Sequence, residues 1–196
     1  MMKKRCFWGK TLPDFLIRYH DEEWGTPLHD DRLLFEMLCL GVFQAGLSFL
    51  VVLRKREALR RRFHGFNVDA CAGMPDAELE DALTDPGIIR NRKKVYAVRG
   101  NALASTNVIR EFGSLDRFLW DLVGGRTIIN KHRILSDLPT ATPESDAMSR
   151  ELKKRGFTFV GTTICYAFMQ AVGMVNDHMV DCFRYEELGG KKPDIE

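Results

Sequence analysis

The chain has 196 residues, 45% of them apolar, and a formal charge of +2. That is enough for one domain with its own core or two small lobes sharing one, and the balance excludes recognition of nucleic acid by net charge alone. No apolar run approaches the roughly 20 residues a membrane span needs.

Local charge says more than the total. "RKREALRRRF" (54–63), "RNRKK" (90–94) and "KKR" (153–155) are basic clusters, separated by acidic segments such as "DAELEDALTD" (76–85). Taken alone, each reads as a solvated helix face. The start, "MMKKRCFWGK", carries charge without the apolar segment of an export signal. The expectation is a cytoplasmic protein with no membrane partner. In a reducing compartment five scattered cysteines argue for burial or metal binding rather than a disulfide framework. Cys39, Cys71 and Cys165 sit among apolar residues and read as core.

Taken in order, the segments read as helices joined by short loops. "DDRLLFEMLCL" (30–40) has early acids and then apolar turns, as a buried helix does. "LSFLVVLRKREALRRRF" (47–63) is apolar, then basic. "MPDAELEDALT" (74–84) opens on Pro75 and stops at "DPG", and 92–112 is long and amphipathic. "SLDRFLWDLV" (114–123) has a Ser cap and ends at Gly124 and Gly125; "TPESDAMSRELKKR" (142–155) opens on a Thr-Pro-Glu signal and ends at Gly156. No stretch alternates with the period of a strand. The expected class is all-α, with one domain over residues 1–188, built as two helical lobes, and a flexible tail over 189–196.

His178 and Cys182 are four apart, a spacing that places both on one helix face. Cys6 and His20 can complete a closed Cys₂His₂ set suited to structural zinc, clamping the first twenty residues to the last helix. The alternative is four scattered residues, since Cys6 and His20 are too far apart for a finger knuckle. His29, His64 and His132 have no comparable partner and read as surface or loop. In "LKKRGFTFVGTTICYAFMQAVG" (152–173) one helix ends at Gly156 and another starts near Gly161. The free amides of Gly161, Thr162 and Thr163, beside Lys153, can hold a phosphate, or the link is a plain capped hairpin.

"YHDEEWG" (19–25), "QAGLS" (44–48), "GIIRNRKK" (87–94), "LKKRGFTFVGTTICYAFMQA" (152–171) and "VNDHMVDC" (175–182) together resemble the bacterial 3-methyladenine DNA glycosylase I family, from about Arg5 to Cys182. The resemblance implies a helix-hairpin-helix glycosylase fold and excision of 3-methyladenine from alkylated double-stranded DNA. It implies zinc at Cys6, His20, His178 and Cys182. It also implies a phosphate anchor at Lys153, Gly161, Thr162 and Thr163, and a loop entering the duplex at Gln44, Gly46 and Leu47, with Leu47 as wedge. The implied base pocket is Trp8, Tyr19, Trp24, Gly41 and Phe49. The products are free 3-methyladenine and an abasic site, and a monomer is expected.

The likeness breaks in that pocket. Where the family has a glutamate this chain has Gly41; its stacking tryptophan is Phe49 and a pocket tyrosine is Leu16. No catalytic residue is assigned. Glu36, five residues before Gly41, lies about 140° around the helix and is expected to face elsewhere. Two alternatives follow: the same enzyme class with altered base specificity, or a non-catalytic relative that binds damaged DNA.

Overall fold

The computed structural model describes residues 3–6 and 12–191. Trp8, and residues 192–196 of the expected tail, lie outside the described residues. The elements run α1 (Asp14–Arg18), a π-helical turn (Tyr19–Glu23), α2 (Asp31–Gln44), α3 (Phe49–Arg54), α4 (Arg56–Arg62), a 3₁₀ turn (His64–Phe66), α5 (Val68–Ala72), α6 (Asp76–Ala82), α7 (Arg92–Phe112), α8 (Leu115–Asp121), β1 (Ile128–Ile129), a second 3₁₀ turn (Leu135–Asp137), α9 (Pro143–Lys154), α10 (Thr162–Ala171), β2 (Val175–Asn176) and α11 (Phe183–Glu187).

Helix α2 is the axis of the core. Every residue from Leu34 to Phe43 is buried, and α3, α7, α8 and α10 pack around it. Asp30 starts it by accepting from the Leu33 amide at 2.8 Å. The neighbouring Asp31 carboxylate accepts from the Leu115 and Asp116 amides at the start of α8 (3.1 and 2.7 Å), so one aspartate caps a different helix and fixes its approach. Asn91 caps α7, and Gly113 ends it in the left-handed region at φ 91°.

The expected helix over 47–63 is two. At Lys55 (φ −99°, ψ 1°) the chain turns, and the Lys55 ammonium is tied to the carbonyls of Pro86 and Gly87 at 2.9 and 3.1 Å. The expectation of no strands also needs a correction. Ile128–Ile129 pairs in parallel with Val175–Asn176, two residues on each side, too short a run to leave an alternating pattern in the sequence.

The hairpin of α9 and α10 is held by its own hydroxyls. Thr142 and Ser145 form a reciprocal cap at the start of α9, and Ser145 and Thr162 share a 2.7 Å hydroxyl contact across the two helices. The link is also tethered to α7. Buried Asn101 accepts from the Thr158 amide at 2.8 Å and donates to the Thr158 carbonyl at 3.2 Å.

Candidate base cavity and metal centre

Ligand-type atoms of Cys6, His20, His178 and Cys182 converge within 4.8 Å of one another, and all four residues are buried. The route differs from the one expected. His178 and Cys182 do not share a helix face: they lie after β2 in a bend and turn, and Cys182 is the residue that starts α11. The turn, closed by Cys182 N–H donating to the Met179 carbonyl at 2.8 Å, folds the two side chains together.

Each imidazole is aimed by its far nitrogen. His20 Nδ1 sits 2.8 Å from Asp21 Oδ1, leaving Nε2 to face Cys182 Sγ at 3.6 Å. His178 Nε2 meets the Trp24 carbonyl at 3.0 Å, leaving Nδ1 at 3.4 Å from Cys6 Sγ and 3.6 Å from Cys182 Sγ. Such outer partners fix ring orientation at metal sites. Burial alone would raise the Asp21 carboxyl, but hydrogen bonds from Arg5 and His20 outweigh it and hold it below its ordinary value. The contact between the thiols raises Cys6, and burial adds to that rise; the same contact lowers Cys182 against the opposing effect of burial, and the two imidazoles also favour its thiolate. Two sulfurs and two imidazole nitrogens fit a tetrahedral ion with no open position.

The cluster shares a wall with a cavity of about 290 Å³. Tyr19 and Trp24 flank His20 across the π-helical turn, in which Trp24 N–H donates to the Tyr19 carbonyl at 2.9 Å. Trp24 meets the His178 ring edge-on at 4.5 Å and lines the cavity. Gly25, at φ 78°, follows because a Cβ there would stand 3.0 Å from the His178 ring. The described lining is Leu16, Tyr19, Trp24, Met37, Gly41, Gln44, Phe49, Leu50, Leu138, Ala167, Phe168, Gln170 and Ala171. Thus the structure brings Tyr19, Trp24, Gly41 and Phe49 to one cavity, with Tyr19 and Phe49 rings 5.1 Å apart. Burial pushes the Tyr19 phenol up.

Charged groups keep to a neighbouring cavity of about 570 Å³ lined by Arg18, Glu22, Glu23, Arg56, Glu57 and Arg60. Its larger size does not make it the better base site, because those charges answer one another. Arg56 contacts Glu23 at 2.6 Å and buried Glu36 at 2.5 Å, and Arg60 contacts Glu36 at 2.8 Å. Glu36 therefore points away from the apolar cavity, as its helical position implies.

Residues 167, 168, 170 and 171 of α10 form the cavity wall that sequence reasoning missed, although their helical spacing sets them on one face. Met37, Leu50 and Leu138 were missed as well. Behind Gln170 lies buried Asp177, whose carboxylate accepts from Tyr166 Oη (2.6 Å), Gln170 Nε2 (2.8 Å) and Asn130 Nδ2 (2.6 Å) and meets His132 Nε2 at 3.1 Å. His132 lies in a loop, one of the two expected settings, but with 13% of its side chain exposed it has a partner in Asp177 that the sequence did not show. His29 and His64 are exposed, as expected.

The 44–48 turn stands at the cavity edge. Gln44 lines the cavity, Gly46 takes φ 75°, and Leu47 is 43% exposed rather than packed inward. Lys94, buried and without a carboxylate partner among the described residues, donates to the Phe43 and Ala45 carbonyls at 2.8 and 2.5 Å and so pins the turn to α7. Burial holds its ammonium below the ordinary lysine value. In the hairpin, Gly161 precedes α10 with open space where a Cβ would be, Thr163 and Lys153 are exposed, and Thr162 is half-buried.

A profile of the methyladenine glycosylase family matches residues 8–185. The chain belongs to this family. It is 47% identical to DNA-3-methyladenine glycosylase 1 of Escherichia coli (strain K12), over 97% of this chain and 100% of that relative. Among solved structures, a 3-methyladenine DNA glycosylase I is 48% identical over 92% of this chain and 98% of its own, with a TM-score of 0.88. The Staphylococcus aureus glycosylase, solved for the basis of its 3-methyladenine recognition, is 32% identical over 95% of both chains, with a TM-score of 0.87. Membership accounts for the order of the quoted motifs.

Proposed function

We propose that this chain is a DNA base-excision glycosylase, a single-domain monomer of the helix-hairpin-helix type, that everts 3-methyladenine from alkylated double-stranded DNA and hydrolyses its glycosidic bond. The observation that carries the reading is the aromatic cavity of about 290 Å³ beside an exposed apolar turn. A base must leave the stack before its sugar carbon can be attacked, and an apolar side chain can fill the gap it leaves. Leu47 is that wedge. Gln44 and Gly46 follow the strand around it. The amides of Gly161, Thr162 and Thr163, with Lys153, hold a phosphate.

The chemistry asks little of an acid. N3-methylation gives the adenine ring a positive charge, so the base departs as a neutral molecule. Tyr19, Trp24 and Phe49 supply π-faces that favour a cation over the uncharged base. Gln170, with its Nε2 committed to Asp177, is left with an acceptor oxygen for an amino edge.

Zinc is the proposed ion of Cys6, His20, His178 and Cys182. When bound it supplies a structural cross-link and no chemistry, since four protein ligands leave no room for water. The chain's own residues do the rest: Asp21 and the Trp24 carbonyl orient the imidazoles, and the π-helical turn carries Tyr19 and Trp24 into the cavity.

Chromatography of bases released from methylated duplex DNA tests the reading. Prompt appearance of free 3-methyladenine is expected. Tight binding to abasic-site DNA with no released base would leave only a binding protein.

A further inference from the structure

Among the described residues lining the cavity, the only titratable side chain is the Tyr19 phenol. Carboxylate, imidazole and ammonium groups are absent from that lining. A neutral purine is a poor leaving group without a proton, and no described lining group is suited to give one. The substrate must therefore carry its own activation, as a cationic N-alkylpurine does. Without a carboxylate, the cavity cannot select by ion pairing and must select by fit and by aromatic contact.

The fit is generous. An apolar cavity of about 150 Å³ holds benzene, and this one offers about 290 Å³. A purine fills part of that space. Two of the wall positions on α10 are Ala167 and Ala171, so the wall is low along that helix, while at Gly41 the Ile164 methyl stands 3.1 Å from where a side chain would begin. The remaining space is apolar, bounded by Leu16, Leu50 and Leu138. Each methylene buried there gains from leaving water.

Resting on the glycosylase reading above, we propose that the preferred substrates are cationic N3-alkyladenines in DNA whose alkyl group is larger than methyl, the extra carbons lying against Ala167 and Ala171. The reaction balances simply. The C1′–N9 bond breaks and its electron pair passes to the cationic ring, which leaves as a neutral N3-alkyladenine. Water adds its oxygen to C1′ and loses a proton to solvent, leaving an abasic sugar.

The test compares release per lesion of N3-butyladenine and N3-methyladenine from butylated and methylated duplex DNA by the full-length protein. Butyl release equal to or faster than methyl release is expected. In Ala171→Leu, which raises the low wall, the butyl-to-methyl ratio is expected to fall below that of the parent protein. Faster methyl than butyl release by the parent protein, or an unchanged ratio in Ala171→Leu, overturns this inference and leaves the glycosylase reading intact. Release of no base from either DNA overturns both.

Discussion

Gln170 reaches back from the cavity wall to Asp177, its amide nitrogen 2.8 Å from the buried carboxylate. This contact decides which way the carboxamide points. An amide has two donors and one acceptor group, and binding through nitrogen leaves the oxygen for whatever enters the cavity. Tyr166, Asn130 and His132 occupy the rest of the carboxylate, so Asp177 is a fixed anchor with no capacity left for a ligand.

Asp177→Leu should therefore act on both stability and recognition. It removes an acceptor that serves several buried or half-buried donors, and breaking such a charge-assisted set costs about 3 kcal/mol or more. Urea unfolding measures that loss. Gln170→Leu, which keeps Asp177 and its other partners, should raise KM for base release more than it lowers kcat. An unchanged KM would remove Gln170 from base recognition.

Lys94 joins α7 to the turn that carries Leu47. Replacing it by Met leaves the Phe43 and Ala45 carbonyls without this donor, and stability should fall by about 1.5–3 kcal/mol. Base release should fall further than affinity for undamaged duplex, because the turn then presents its wedge less firmly. Equal losses in both would mean that Lys94 serves the fold alone.

A side chain at Gly41 would meet Ile164 Cγ2 at 3.1 Å, so Gly41→Glu requires that methyl to shift by a few tenths of an ångström. Such crowding costs about 1–3 kcal/mol. In return it brings a carboxylate to the cavity, and selectivity for 3-methyladenine over larger adducts should rise. Base competition in alkylated DNA reads this directly. An unaltered preference would place Gly41 outside the recognition surface.

Metal analysis of the purified protein should find about one zinc per chain. Cys182→Ala should lower that ratio and the unfolding midpoint together, since binding energy of a structural ion is folding energy. Trp24, edge-on to His178 at 4.5 Å, gives a fluorescence reporter of the change. Fully folded protein with no metal would defeat the cross-link.

The Asp85 carboxyl is held below its ordinary value by the hydrogen bond from Arg62, then by the Gly87 amide. A depressed carboxylate contributes stability that is present above its unfolded value and lost as pH falls through its folded one. The difference in urea midpoint between the parent protein and Asp85→Ala should be full at about pH 6 and shrink below about pH 4. A difference that stays constant down to about pH 3 would show that the ion pair adds nothing.

Much of the helical frame was legible because caps and periodicity are local. The long helix over 92–112 is written in its amphipathic pattern, and the helix opening at Thr142 in its Thr-Pro-Glu start and Gly156 stop. The break at Lys55 was not, because it depends on carbonyls of Pro86 and Gly87 some thirty residues on. The ligand set was legible from residue chemistry, yet the geometry inferred for His178 and Cys182 was wrong, since a closed turn can do what a helix face does. The partners of Asp177 stayed hidden because they come from the 130–132 loop and α10, and no spacing in one segment announces them.

The π-helical turn places Tyr19 and Trp24 on either side of His20, so one face of the hollow is bolted to the cysteine–histidine knot. Substitutions there disturb anchorage and recognition together. Gly41, Phe49 and the two alanines of α10 line the same hollow and are not among the four residues of that knot. Changes of appetite can therefore enter this scaffold at those positions without cutting a ligand from the knot.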